Sequence, residues 1–283
     1  MLKFSYHNHT FYSDGHDTPE AMAKAAFDAG LSYFAFTDHI HSDLFPSWTL
    51  QIKDFPQYAA HIGRVKEEYA GKMTIFTGIE ADWYKGRGTH FSHYQEISPS
   101  LDFTVGSIHV LSPGGVDYLI DDDMPTYAAC LNKGYGGDAK AMITDYYEGY
   151  LEMICDFKPD LLGHIDIMQK NNPESRFFDE SEPWCVRLQE TLAKEIAKRN
   201  LVTEVNGGGA YRYGNGVTYP SEQFLSILRE ADVRLTIGLD AHSVDMVTSY
   251  YDASLGYLKK AGFSELWYYD GAQWKSQPLE AVE

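Results

Sequence analysis

Apolar positions follow two rhythms along the chain. Short runs rich in β-branched and aromatic residues predict strands at Leu2–His7, Tyr33–Thr37, Met73–Glu80, Asp102–His109, Asp160–His164, Leu201–Asn206 and Arg234–Asp240. Between several of them, apolar residues recur every three or four positions. These stretches predict helices at Pro19–Ala29, Phe55–Tyr69, Ala139–Phe157, Glu182–Arg199, Ser221–Glu230 and Asp245–Ala261. The first is punctuated at both ends: Thr18 can cap it, Pro19 suits its first turn and Gly30 can stop it. Alternating strands and helices favour parallel β/α units. Seven strands in 283 residues predict one barrel domain over residues 1–283 rather than two domains. Leu266–Tyr269 and Ala272–Lys275 flank Asp270-Gly271 and read as a C-terminal hairpin with a two-residue turn. Ser112–Asp138, rich in Gly, Pro and Asp, is long for a βα loop, and long loops at barrel ends often serve function.

Composition narrows the function classes. Hydrophobic residues make up 44% and charged residues 23%, an ordinary globular balance. No run approaches the roughly 18 apolar residues of a membrane span. Lys and Arg number 23 against 41 Asp and Glu, a net charge of −18, which weighs against nucleic-acid backbones and anionic lipid as partners. Cys130, Cys155 and Cys185 are widely spaced and form neither a metal knuckle nor a disulfide framework. The opening Met-Leu-Lys-Phe-Ser-Tyr carries no signal-peptide pattern, so the expected location is cytoplasmic.

The informative residues stand at the strand ends. His7 and His9 end the first strand; i and i+2 share a face there, so both imidazoles can reach one ion. His39 follows the second strand, Glu80 ends the third, His109 the fourth and His164 the fifth, while Asp240 and His242 close the seventh. Singly, a histidine here is a hydrogen-bonded core residue and an acid is a helix cap. Together, on nearly every C-terminal strand end, they form the pattern of a metal or catalytic face.

His7-Asn-His9-Thr-Phe-Tyr-Ser-Asp14-Gly resembles the opening motif of the PHP (polymerase and histidinol phosphatase) phosphoesterases. Phe36-Thr-Asp-His39, Gly78-Ile-Glu80, Gly106-Ser-Ile-His109, Gly163-His164 and Gly238-Leu-Asp-Ala-His242 follow in that family's order. The acidic stretch after His109, and Glu204-Val-Asn with Arg212 following, further resemble the histidinol-phosphatase branch. The resemblance implies a distorted (β/α)7 barrel with two or three divalent ions (Zn, Fe or Mn) at the C-terminal ends of the strands. It implies His7, His9, Glu80 and Asp240 on the first ion, Glu80 bridging to a second completed by His109 and His164, and Asp14, His39 and His242 on a third. Many members of that branch carry a His one place beyond Asp14; here Gly15 stands there, and His16 is the alternative to Asp14.

Such a centre suits hydrolysis of a small phosphomonoester, with L-histidinol phosphate the substrate the resemblance implies, and histidine biosynthesis the setting. Paired cations lower the pKa of a shared water and offset phosphoryl charge, so in-line attack by a bridging hydroxide is the expected route. The signatures of other phosphatase chemistries, D-x-D-x-T, R-H-G and a P-loop, are absent. Asp38 and Asp166, beside His39 and His164, are candidates to support those ligands or to close turns. Glu204, ending the sixth strand, reads as a positioning group or a helix cap. Arg212 is the first choice to grip phosphate and Lys170 the second; Arg87 and Arg176 also sit in loops. His41, His61, His90 and His93 carry no assigned role, and His61 is expected on a helix surface. The rival readings are a phosphodiesterase or exonuclease, a phosphotyrosine phosphatase, and a metal-binding regulatory module without turnover.

Overall fold

The computed structural model describes residues 1–40, 47–89, 94–209 and 218–279. Its strands are β1 (Lys3–Ser5), β2 (Leu31–Phe36), β3 (His39–Ile40), β4 (Thr74–Asp82), β5 (Phe103–Ser107), β6 (Val110–Leu111), β7 (Tyr118–Leu119), β8 (Leu161–Leu162), β9 (Val202–Asn206), β10 (Arg234–Gly238), β11 (Glu265–Tyr269) and β12 (Trp274–Pro278). The sheet runs β1-β2-β4-β5-β8-β9-β10, every neighbouring pair parallel, and β3 adds to the end of β4. Its two edges meet. Asn8 bridges Ala241 in parallel, the His9 N–H donates to the Ala241 carbonyl at 2.8 Å, and the Asp240 N–H donates to the His7 carbonyl at 2.8 Å. Seven parallel strands therefore close into the expected distorted barrel, with helices outside.

The outer helices sit where the periodicity predicts them. The first spans Pro19–Asp28, with Thr18 Oγ1 accepting the Ala21 N–H at 3.2 Å and Gly30 in the left-handed region past its end. Helix Ala139–Asp156 lays Met142, Tyr146, Tyr150 and Met153 on the barrel, spaced three or four apart. No described helix is long and apolar enough to cross a membrane.

Three local expectations change. The helix predicted over Asp245–Ala261 is a short turn at Val244–Met246 and a helix at Tyr251–Lys260, because Tyr250 adopts φ +60°, a left-handed conformation that no helix continues through. The C-terminal hairpin pairs Tyr269 with Trp274, so its connection is the four residues 270–273 rather than two. Asp270 Oδ1 accepts the amides of Ala272 and Gln273, both at 2.9 Å, and so takes Ala272 out of the strand. The long segment Ser112–Asp138 carries structure of its own: it holds β7, which pairs back on β6, helix Met124–Ala129 and a wider turn at Cys130–Gly134.

The β11–β12 hairpin closes the barrel at its N-terminal end. Phe76 and Phe103 lie early in β4 and β5, and Tyr6 packs on Phe103 (5.3 Å) and Trp274 (5.6 Å). The Tyr6 hydroxyl donates to the Tyr269 carbonyl and accepts the Tyr269 N–H, both at 2.8 Å. Tyr6→Phe keeps the packing but strands two backbone groups. We expect it to lower unfolding free energy by about 2 kcal/mol in urea titration, with metal content unchanged. An unchanged midpoint would remove the hairpin from the stability of the barrel.

Candidate metal centre

The C-terminal strand ends converge on Glu80. It lies on β4 with no exposed surface, opposite His39 of β3 in the ladder. Glu80 Oε2 is 3.0 Å from His7 Nε2, 3.0 Å from His39 Nδ1 and 3.5 Å from His9 Nε2. Its other oxygen is 3.2 Å from His164 Nε2 and 3.7 Å from His109 Nε2, and accepts the Ser107 hydroxyl at 2.5 Å. Asp240 Oδ1 is 3.2 Å from His9 Nε2, and Asp14 Oδ2 is 3.0 Å from His242 Nε2.

Carboxylates and carbonyls behind the ring set the imidazole tautomers. His7 Nδ1–H donates to Glu204 at 2.9 Å, His109 Nδ1–H to Asp82 at 2.7 Å, and His242 Nδ1–H to the Asp240 carbonyl at 2.8 Å. Each of these rings therefore turns an Nε2 lone pair inward, the orientation metal-binding histidines require. Glu204 also accepts the His164 N–H (3.1 Å) and the Asn206 side-chain amide (2.7 Å), and Asn206 donates onward to Asp240 (3.2 Å). Two glycines make room for this layer. A Cβ at Gly238 would overlap Glu204 Oε2, and one at Gly163 would overlap Ser107 Oγ. Asp240 itself holds φ +49°, a strained backbone for a non-glycine residue, at the point where the barrel closes.

The electrostatics follow from burial and crowding. Burial alone would raise the Glu80 carboxyl, yet His7, His39 and His109 hold it well below the usual carboxylate range. Burial opposes charge on His39, but Glu80 and Asp14 push it up to about 9. Against the same burial, Asp82, Asp121 and Glu80 push His109 up to about 10. His9 goes the other way, to about 3, because burial and the facing His242 and His39 disfavour its proton.

Several buried donor atoms make no hydrogen bond: His7 Nε2, both nitrogens of His9, His39 Nδ1 and Glu80 Oε2. Buried polar atoms left this way are costly unless something else meets them. Four sets bring their donor atoms within 4.8 Å of one another: His9, Asp14, His39 and His242; His7, His9 and Asp240; His7, Glu80 and His164; His39, Asp82 and His109. Mixed nitrogen and carboxylate donors fit Zn, Fe or Mn. All nine residues expected as ligands lie in this cluster. His16, the alternative to Asp14, is exposed and joins none of these sets.

Other expected residues take different places. Asp38 does not touch the His39 ring. It accepts Thr10 N–H (2.8 Å) and the Ser13 hydroxyl (2.7 Å), bracing the loop that carries Asp14. Asp166 likewise leaves His164 alone and accepts the Ser221 N–H at 2.7 Å; burial pushes its carboxyl up to about 8. Lys170 stands in the wall of the cleft and donates to the Asp121 carbonyl. Arg87 pairs with Asp117, and Arg176 lies over the Phe177 ring at 5.3 Å; neither lines the cleft. His61, expected on a helix surface, is mostly buried between Tyr12 and Glu20. Arg212, His41, His90 and His93 lie outside the described residues. Sequence reading missed Asp82, whose signal was its place two residues after Glu80 on one strand face, and Trp48, which meets His39 edge-on at 5.1 Å. The ring opens into a cleft of about 250 Å³ whose outer wall includes Trp48, Leu119, Asp121, Asp122, Ile167 and Lys170.

Comparison with known proteins agrees with this architecture. The chain is 26% identical to the histidinol-phosphatase of Bacillus subtilis over 90% of this chain and 99% of that one. A solved structure from Listeria monocytogenes superposes with a TM-score of 0.78 at 23% identity, covering 89% of this chain and 99% of the other. The histidinol phosphate phosphatase of Lactococcus lactis, solved with Zn, L-histidinol and phosphate, superposes at 0.68 with 18% identity over 96% and 98%. These likenesses establish the fold. The PHP domain signature matches residues 5–207, most of the barrel, and with it the chain belongs to the PHP domain family.

Proposed function

We propose that this chain is a metal-dependent histidinol-phosphatase, converting L-histidinol phosphate and water to L-histidinol and phosphate. The observation that carries the reading is the cluster of buried donor atoms around Glu80, on His7, His9, His39 and Glu80 itself, that make no hydrogen bond. The relatives' activity and the Lactococcus structure's ligands supply the substrate. In this reading His7, His9, Glu80 and Asp240 hold one ion, Glu80, His109 and His164 a second, and Asp14, His39 and His242 a third. Bound divalent ions supply a hydroxide near neutral pH and offset charge on the phosphoryl oxygens.

The chain's own residues do the rest. Glu204, Asp82 and the Asp240 carbonyl fix three imidazoles in the tautomer that presents Nε2. Ser107 orients the carboxylate of Glu80. Lys170, with Arg212 beside it in function, holds terminal phosphoryl oxygens. Asp121 and Asp122 at the mouth would repel a phosphate dianion alone; they suit a substrate whose leaving group carries an ammonium and an imidazole. The same charge, within a net −18, disfavours nucleic acid and anionic membrane as partners, and a biosynthetic phosphatase of this kind works in the cytoplasm.

The direct test is phosphate release from L-histidinol phosphate, a phosphotyrosine peptide and single-stranded DNA, with Mn or Zn supplied. We expect strong preference for the first; preference for the peptide or the diester would withdraw the substrate while keeping the metal chemistry, and metal binding with no turnover of any of them would leave a binding module. Glu204→Gln removes the charge behind His7, and Gly238→Ala displaces the same carboxylate. Each should weaken binding of the ion held by His7 by about 10- to 100-fold, read by chelator competition with metal analysis. Equal affinity in both variants would deny Glu204 its positioning role. Lys170→Ala should raise KM about tenfold or more with little change in bound metal, and an unchanged KM would take Lys170 off the phosphate.

A further inference from the structure

The cleft wall at Leu119, Asp121 and Asp122 belongs to a hairpin too small to hold itself. β6 and β7 pair through only Val110 with Leu119 and Leu111 with Tyr118. A ladder this short is marginal without outside support. At the cleft end it has that support: the Ile120 N–H donates to the His109 carbonyl at 2.9 Å, Asn171 donates to the Ile120 carbonyl at 3.0 Å, and Lys170 donates to the Asp121 carbonyl.

At the far end, where the Gly115 N–H donates to the Ser112 carbonyl at 3.1 Å, Arg87 spans the connection. Arg87 donates through Nη2 to both Asp117 Oδ1 and Ser112 Oγ, and the Ser112 hydroxyl donates to Asp117 Oδ1 at 2.5 Å. Ser112 and Asp117 are the two ends of the hairpin's connection, so Arg87 ties that connection shut. Arg87 is itself fixed. Its guanidinium lies over the Tyr84 ring at 4.9 Å, and its N–H closes a turn on the Tyr84 carbonyl at 2.8 Å. The neighbouring Gly86 N–H and Lys85 ammonium are gripped by Glu152 (2.8 Å) and Asp145 (2.7 Å) of helix Ala139–Asp156. The clasp thus refers the cleft wall to the barrel's outer helix, and through Tyr84 to the segment just past Glu80 and Asp82.

We propose that Arg87, with Asp117 and Ser112, is a positioning residue that sets the register of β7 against β6, and with it the distance of the acidic wall from His109. Arg87 touches neither the cleft nor the ring around Glu80, so its effect falls on substrate fit and not on the chemical step. The identity of the substrate rests on the functional reading above; the positioning role does not.

The test uses the metal-loaded full chain and the variants Arg87→Ala, Arg87→Lys and Asp117→Asn. Arg87→Ala should raise KM for L-histidinol phosphate about three- to tenfold, the size of a partly exposed charge-assisted bond. For kcat, and for KM with phenyl phosphate, whose leaving group is uncharged, we expect changes within about twofold. Arg87→Lys, which keeps the charge and loses the fork, should fall between. Hydrogen exchange at residues 119–122 should quicken in Arg87→Ala while β4 stays protected. Unchanged exchange at 119–122 overturns the proposal. So does an equal loss on both substrates with metal lost, which would make the clasp a prop for the metal centre. Should the wild-type chain hydrolyse phenyl phosphate and not L-histidinol phosphate, the functional reading fails and the exchange measurement alone decides the clasp.

Discussion

A carboxylate with no exposed surface, faced by five imidazoles, is the constraint from which the rest of this structure follows. Glu80 cannot be buried as a lone charge, since that costs several kcal/mol even after relaxation. It is tolerable only where positive charge surrounds it, whether carried by protons on His39 and His109 or by bound cations. Two of the rings that face it, His7 and His109, are anchored from behind by carboxylates. This explains the layer of Glu204, Asp82, Ser107 and Asn206, and the glycines at 163 and 238 that leave them space.

The barrel meets that demand through closure. The ring needs residues from both ends of the chain's strand order, because His7 and His9 follow β1 while Asp240 and His242 follow β10. The pair of backbone hydrogen bonds between His7, His9 and residues 240–241 brings those edges together within the site itself. The strained Asp240 backbone sits at that seam. The cost is local and is offset by burial elsewhere: helices cover the outside, and the C-terminal hairpin seals the opposite end with Tyr6, Phe103, Tyr269 and Trp274.

Charge is sorted by depth. Deep in the barrel, acids and imidazoles alternate and neutralise one another. At the mouth, Asp121, Asp122 and Lys170 line the cleft. Asp38 and Asp166, both buried, and Arg87 hold loops instead of ligands. Residues of one chemical type thus serve different roles, and adjacency in sequence to a ligand does not say which.

The sequence by itself determined the barrel and the site's first layer, because both are written in local periodicity. Strand and helix rhythms placed seven strands, and a histidine or acid at each strand's end must face the same rim once those strands run parallel. The tertiary structure alone decided what lies behind that rim. Asp82 supports His109 and Glu204 supports His7 across gaps of 27 and 197 residues, and no local pattern encodes such contacts. Asp38 and Asp166 look like supports from their place beside His39 and His164, but successive side chains on extended backbone point apart, and both turn away to brace loops. Tyr250 breaks a helix that periodicity alone would run through, with its backbone in the left-handed region that a tyrosine's own preference disfavours. The choice of Asp14 over the exposed His16 rests on the same physics: two residues close in sequence are separated by where the folded loop lets each side chain reach.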